Sequence, residues 1–286
     1  MEKILEISHL SKSYPEFTLN DISFAMHKGY IMGLIGPNGA GKTTIIKCIM
    51  DLIRKDSGSI TIFNKDSAEN GKEIREKIGF VYDENHYYEN LTVVETKNII
   101  APFYSDWNDD DFFSFIKTFE LPVNKKIQSF SRGMKTKFAI AMALSHNPEL
   151  VIMDEPTSGL DPVSRSEILD IFREVIQNEE RSILFSTHIT SDLDKIADYI
   201  TFINKGNMVF SKSREEIDDQ HLLVRGDLDL LNDDLRNSMI SIKESKYQFE
   251  ALTDQSTEVR LALKENVVFE KATLEDIMLY YVRRDK

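Results

Sequence analysis

Residues 36–44, Gly-Pro-Asn-Gly-Ala-Gly-Lys-Thr-Thr, constrain this chain more than any other stretch. They follow the apolar run Ile31–Ile35 and lead into an apolar-periodic stretch from Lys42 to about Met50. Strand, glycine-rich turn and helix in that order predict the phosphate-binding unit of an α/β domain. The glycines Gly36, Gly39 and Gly41, with Pro37, Asn38 and Ala40, let backbone N–H groups converge on phosphate oxygens. Lys42 neutralises the β- and γ-phosphates, Thr43 offers a hydroxyl to Mg²⁺, and Thr44 continues into a helix whose N-terminus favours anions.

A second constraint lies downstream. Leu150-Val-Ile-Met-Asp154-Glu155-Pro156 puts two acids at the end of an apolar strand, where an open α/β sheet presents its ligand crevice. Asp154 is placed to hold Mg²⁺, directly or through water. Glu155 is placed to polarise an attacking water as a general base. His188 follows another apolar run, Ser182–Phe185, and an imidazole there is able to hydrogen-bond a γ-phosphate and the attacking water. A lone histidine also serves as a structural group, and both uses stay open for His188.

Composition narrows the class. The 286 residues are 41% hydrophobic, which supplies a full core. Thirty-five bases against 48 acids leave a net charge of −13, which argues against a nucleic-acid grip. With Cys48 as the one cysteine, neither an internal disulfide nor a cysteine-rich metal site can form. The opening MEKILEISHL lacks the pattern of a signal peptide. The longest apolar run, Phe138–Leu144, is far short of the ~20 residues that span a bilayer. The expectation is a chain that does not cross a membrane itself.

Strands are expected at Ile4–Ile7, Phe17–Met26, Ile60–Phe63 and Ile78–Val81, and helical character from about Leu91 to Ser145. Val93, Thr96, Ile99 and Ile100 share one helical face; Phe112, Phe115, Ile116 and Phe119 share another, behind Asp109, Asp110 and Asp111. A hairpin turning at Lys205-Gly206-Asn207 is expected near residue 206. In the acidic tail, Val259–Leu263 reads as a strand and Leu274–Val282 as a closing helix.

Taken together, these segments resemble the ATP-binding subunit of an ABC transporter over about residues 1–215. Gly36–Thr44 looks like its Walker A loop, Leu150–Asp154 with Glu155 like its Walker B strand and catalytic glutamate, Ser158-Gly-Leu-Asp161 like its D-loop, and Thr187-His188 like its switch histidine. Tyr14 sits where the family places an aromatic that stacks on adenine. Ser131-Arg-Gly-Met-Lys135, after Phe130, resembles the signature motif. The resemblance implies an α/β fold: a P-loop ABC-type ATPase core over 1–215, a helical subdomain inserted at about 85–148, and a small α+β extension over 216–286. It implies ATP and Mg²⁺ as cofactors, with Lys42, Glu155 and His188 as catalytic residues. It implies a head-to-tail dimer in which Ser131, Gly133 and Asp161 serve the ATP of the opposite ATPase subunit. Alone, Ser131 also reads as a helix N-cap and Asp161 as a turn acid.

Two departures stand out. Arg132 and Met134 replace a Gly and the Gln of the usual signature, similar to a branch of bacitracin- and lantibiotic-type exporters. Asp83, after Ile78-Gly-Phe-Val-Tyr, stands where the family usually has Gln; it is able to bind Mg²⁺ or its water, and equally to be a loop acid. The resemblance further implies a separate transmembrane permease subunit, whose short helix enters a groove beside the helical subdomain. Tyr82, Tyr87, Tyr88, Phe103, Tyr104 and Trp107 concentrate aromatics there, with Tyr87 and Tyr88 the preferred contact pair. The branch suggests an amphipathic or antimicrobial-type peptide cargo. The alternative is a soluble ABC ATPase not coupled to transport; a module that binds ATP without hydrolysing it is disfavoured by Glu155.

Overall fold

The computed structural model describes residues 2–83, 86–178, 180–263 and 267–284, so residue 85, at the expected start of the helical insertion, lies outside them. The chain forms two compact units, Met1–Ser211 and Lys212–Lys286.

In chain order the first unit begins with β1 (Lys3–Tyr14), β2 (Phe17–His27), β3 (Ile31–Ile35) and α1 (Lys42–Ile49). Next come β4 (Ser57–Ile62), β5 (Lys65–Asp66), α2 (Gly71–Glu76) and β6 (Ile78–Val81). The helical stretch holds α3 (Val93–Ile100), α4 (Asp109–Thr118) and α5 (Arg132–Leu144). The chain then returns through β7 (Leu150–Met153), α6 (Pro162–Ile176), β8 (Ser182–Thr187), α7 (Thr190–Ile196), β9 (Tyr199–Asn204) and β10 (Asn207–Ser213).

β3, β7 and β8 are buried along their whole length. Unbroken apolar runs of that kind suit parallel strands covered on both faces. They form the centre of a six-stranded sheet in the order β10-β9-β3-β8-β7-β6, in which β9, β3, β8, β7 and β6 are parallel. β9 and β10 meet at Lys205 and Gly206, both at positive φ (46° and 76°), as a two-residue hairpin requires. A second sheet, β2-β1-β4-β5, is antiparallel and shares one apolar core with α1 and the central strands. The parallel register brings the C-terminal ends of β3, β7 and β8 together, so Gly36, Asp154 and His188 leave the sheet at one edge.

Local chemistry starts the helices of the insertion. Thr92 and Glu95 make a reciprocal capping box at α3, and Asn108 caps α4, whose first turn carries Asp109, Asp110 and Asp111. The expected face of α4 packs inward through Phe112, Ile116 and Phe119. That of α3 differs: Ile99 is 48% exposed, and Lys97 is buried with its ammonium 2.9 Å from an Asp109 oxygen. The long aliphatic stem covers apolar surface while the ion pair satisfies its head.

The second unit contains α8 (Arg214–Gln220), β11 (Leu222–Asp227), α9 (Asp233–Asn237), β12 (Ser241–Glu244), β13 (Gln248–Thr253), α10 (Ser256–Leu263), β14 (Val268–Lys271) and α11 (Leu274–Arg284). Its antiparallel sheet runs β12-β13-β11-β14 around its own core of Val224, Phe249, Ala251 and Val259. The strand expected at Val259–Leu263 is instead part of α10. Val259 and Leu263 are buried four residues apart, while Leu261, which strict alternation would place beside them, is 72% exposed. The intervening Arg260, Leu261 and Ala262 are strong helix formers.

Among the described residues, no helix is long and apolar enough to cross a membrane.

Candidate functional site

The loop after β3 is shaped by close approach. A Cβ at Gly36 would lie 2.2 Å from the Ile203 carbonyl oxygen, and Gly41 has φ +113°, so neither position tolerates a side chain. Gly41 is the N-cap of α1 and no side chain caps the helix, which leaves its first N–H groups directed at the loop. Lys42 opens α1 and is buried; its ammonium donates to the carbonyls of Gly36 (2.8 Å) and Pro37 (3.3 Å). It also lies 3.1 Å from Glu155 Oε1.

Glu155 leaves β7 with φ +48°, a left-handed conformation that costs a non-glycine residue energy. Three contacts hold it there. Its N–H donates to Ser186 Oγ at 2.9 Å, one carboxylate oxygen meets Lys42, and the other lies 2.8 Å from His188 Nδ1. Strain maintained by surrounding contacts is typical of positions where side-chain placement matters chemically.

Asp154 is 3% exposed and its Oδ1 accepts the Ser186 hydroxyl at 2.5 Å. Burial pushes its carboxyl above the ordinary carboxylate range, the charges of Asp83 and Glu155 add to the rise, and hydrogen bonds from Ser186 and Thr43 oppose it. A buried carboxylate beside a threonine hydroxyl and a second acid is a donor set suited to a hard divalent cation. Among the described residues, no three His, Cys, Asp or Glu side chains form a metal cage.

Lys42, Thr43, Asp83, Glu155 and His188 line one cleft of about 740 Å³, while Gly36, Pro37 and Asp154 do not; Asp154 lines a second cavity that shares Asp83. Asn38 to Thr44, Tyr14, Asp83, Glu155 and His188 all line the first. Tyr14 is 42% exposed, and the Lys12 ammonium lies over its ring, 5.6 Å from the centre. Glu16 and Phe17, which belong to no motif, also line this cleft, as do Ser158 of the D-loop-like segment and Arg132 of the signature-like segment, neither of which the sequence assigns to it. Ser186, which ties Asp154 to Glu155, was also missed. Nothing in its local sequence distinguishes it from any serine at a strand end.

Ser131, Gly133 and Asp161 do not line this cleft. Ser131 accepts from the Met134 N–H at 3.2 Å as N-cap of α5, and Gly133 is buried in the first turn of that helix. Asp161 caps α6, accepting from the N–H groups of Val163 and Ser164. The aromatic pair divides: Tyr88 is 73% exposed, whereas Tyr87 packs edge-on against Phe138 with ring centres 5.1 Å apart. A separate groove of about 370 Å³ is lined by Leu52, Phe80, Tyr82, Tyr87, Ile100 and Tyr104, among others.

Comparison with known proteins bears on this architecture. The model of the ABC transporter family matches residues 19–158. The bacitracin transport ATP-binding protein BcrA of Enterococcus faecalis is 32% identical over 266 residues, covering 91% of this chain and 84% of the relative. The lantibiotic transport ATP-binding protein SrtF of Streptococcus pyogenes is 35% identical over 212 residues, covering 73% and 90%. A solved ATP-binding subunit of an ABC transporter superposes with a TM-score of 0.68 at 29% identity, over 76% of this chain and 92% of that one. The cassette MJ0796, solved as a dimer bound to ADP and Pi, has the same fold, with a TM-score of 0.65 at 23% identity over 73% and 98%. The chain belongs to the ABC transporter family, as an ATP-binding and ATP-hydrolysing subunit.

Proposed function

We propose that the cleft binds Mg²⁺-ATP between two such subunits and hydrolyses it to drive a separate membrane subunit that exports peptides. The observation that carries the chemistry is Glu155, held between Lys42 and His188 at the end of β7.

In this reading Tyr14 stacks on the adenine, and the loop from Gly36 to Thr44 wraps the phosphates with Lys42 against the β- and γ-groups. Thr43, Asp154 and Asp83 are the residues that would hold Mg²⁺, which when bound neutralises charge across the β- and γ-phosphates. Glu155 orients a water in line with the γ-phosphorus and takes its proton as the new P–O bond forms. The bond to the β-phosphate oxygen breaks, and ADP leaves with that electron pair. The imidazole of His188 holds Glu155 through one nitrogen and keeps the other for the γ-phosphate.

Ser131, Gly133 and Asp161 serve the ATP of a second subunit; that they lie outside this chain's own cleft supports such a role. The apolar groove beside Tyr82 and Ile100 suits a short helix of the permease. Peptide cargo follows the bacitracin and lantibiotic relatives.

Glu155→Gln tests the reading. It is expected to bind ATP with unchanged affinity, lose about 10²-fold or more in kcat, and accumulate as an ATP-bound dimer by light scattering. A wild-type rate removes Glu155 as the base. Reconstitution with its membrane subunit should then show ATP-dependent movement of an amphipathic peptide across vesicles; transport of ions alone would remove the cargo assignment.

A further inference from the structure

A buried carboxylate lies outside the lining of the cleft. Asp192, in the first turn of α7, is completely buried. Its Oδ2 accepts the hydroxyl of Thr157 at 2.6 Å, and its Oδ1 accepts Nε–H of Arg165 at 2.5 Å. Thr157 is itself 1% exposed, and Arg165 also donates to Ser191 Oγ at 2.6 Å. One carboxylate thus ties three segments that are far apart in sequence: the loop after β7, the first turn of α6 and the first turn of α7.

Thr157 lies two residues after Glu155, and Asp192 four after His188. The loop is folded on itself, the Ser158 N–H donating to the Glu155 carbonyl at 3.1 Å. On the other side, the Asp192 N–H returns to the Ile189 carbonyl at 3.2 Å, and the Ile189 N–H donates to Thr187 Oγ1 at 2.9 Å. Movement of the loop against α7 therefore changes the distance between the Glu155 carboxylate and the His188 ring. Stability alone is a weak reason for such a network, because burying a charge costs about as much as its pairing returns. Fixing a register is a stronger one.

We propose that Asp192, through Thr157 and Arg165, is a positioning residue for hydrolysis: it locks the Thr157–Asp161 loop to α7 so that Glu155 and His188 meet at hydrogen-bond distance. This rests on the reading of Glu155 and His188 given above. Because Asp161 and Ser158 lie on the same locked loop, a second subunit touching that loop would act on the Glu155–His188 pair through Asp192.

The test is steady-state ATPase kinetics of the full chain with Thr157→Val, Thr157→Ser and Glu155→Gln. Val matches Thr in shape and lacks the hydroxyl; Ser keeps the hydroxyl. Thr157→Val should lose about tenfold in kcat with KM for ATP within about twofold, and Thr157→Ser should restore the rate. If Thr157→Val does not fold, Thr157→Ala removes the hydroxyl without overpacking and is held to the same expectation. A wild-type kcat without the hydroxyl, an equal loss in the Ser variant, or a loss carried by KM overturns the positioning role. Glu155→Gln separates the two readings: a wild-type rate there removes the base assignment itself. Its normal loss beside an active Thr157→Val removes the tie alone.

Discussion

At the residue scale, Asp154 shows what burial does to a carboxylate of the candidate site. Its folded carboxyl holds a proton more readily than an unfolded one. The resulting stability is full below the ordinary carboxylate pKa of about 4 and is lost as pH rises through the raised folded value. Ionising this carboxyl therefore costs the fold stability, which the Mg²⁺ proposed above would return on binding. Asp154→Asn keeps the acceptor for Ser186 and removes the charge. It should raise the melting temperature of the protein alone by a few degrees, about 1–2 kcal/mol, and abolish the further rise given by Mg²⁺-ATP. Thermal unfolding with and without Mg²⁺-ATP checks both parts; a variant less stable than wild type would mean that the charge is compensated within the fold. The identities of Lys42, Thr43, Asp154 and Glu155 were legible because each belongs to a short run with its own chemistry. Ser186 and Asp192 were not, because their significance is a contact with a residue more than 30 positions away.

At the element scale, the end of α5 is anchored by a buried imidazole. His146 is 2% exposed, stacks on Tyr104 with ring centres 3.9 Å apart, and donates from Nε2 to the Ile78 carbonyl at 3.2 Å. Burial pushes its pKa below the ordinary imidazole value of about 6.5, with backbone hydrogen bonds opposing. An unfolded chain then binds a proton that the folded chain refuses, so stability falls as pH drops below about 6.5. His146→Phe keeps the stacked ring and removes the titration. Its unfolding free energy, followed in urea from pH 7 to 5.5, should change less steeply than wild type, by as much as ~1 kcal/mol per pH unit. An unchanged slope would place the acid sensitivity elsewhere, with His221 the next group, since burial also lowers its pKa. Most elements were legible from apolar runs and caps. α10 was not, because five residues of mixed character satisfy either period, and the choice was made by which of Val259, Leu261 and Leu263 found a core.

At the scale of the whole molecule, each unit has its own core. The first unit holds every lining residue of the cleft. A chain ending at Ser213 should therefore fold and bind Mg²⁺-ATP with affinity within about threefold of the full chain, a margin of less than 1 kcal/mol. Titration calorimetry checks this, and loss of binding would make the second unit part of the nucleotide site. The sequence by itself determined the glycine-rich loop between strand and helix, the paired acids and the alternation of strand and helix, since these depend on residues adjacent in the chain and on periods of two and 3.6. Only the tertiary structure decided that Glu155 stands between Lys42 and His188, that Arg132 reaches the cleft wall, and that Asp192 joins three segments. The reason is that parallel strands are neighbours through crossovers, and no local pattern encodes which side chains meet at their ends.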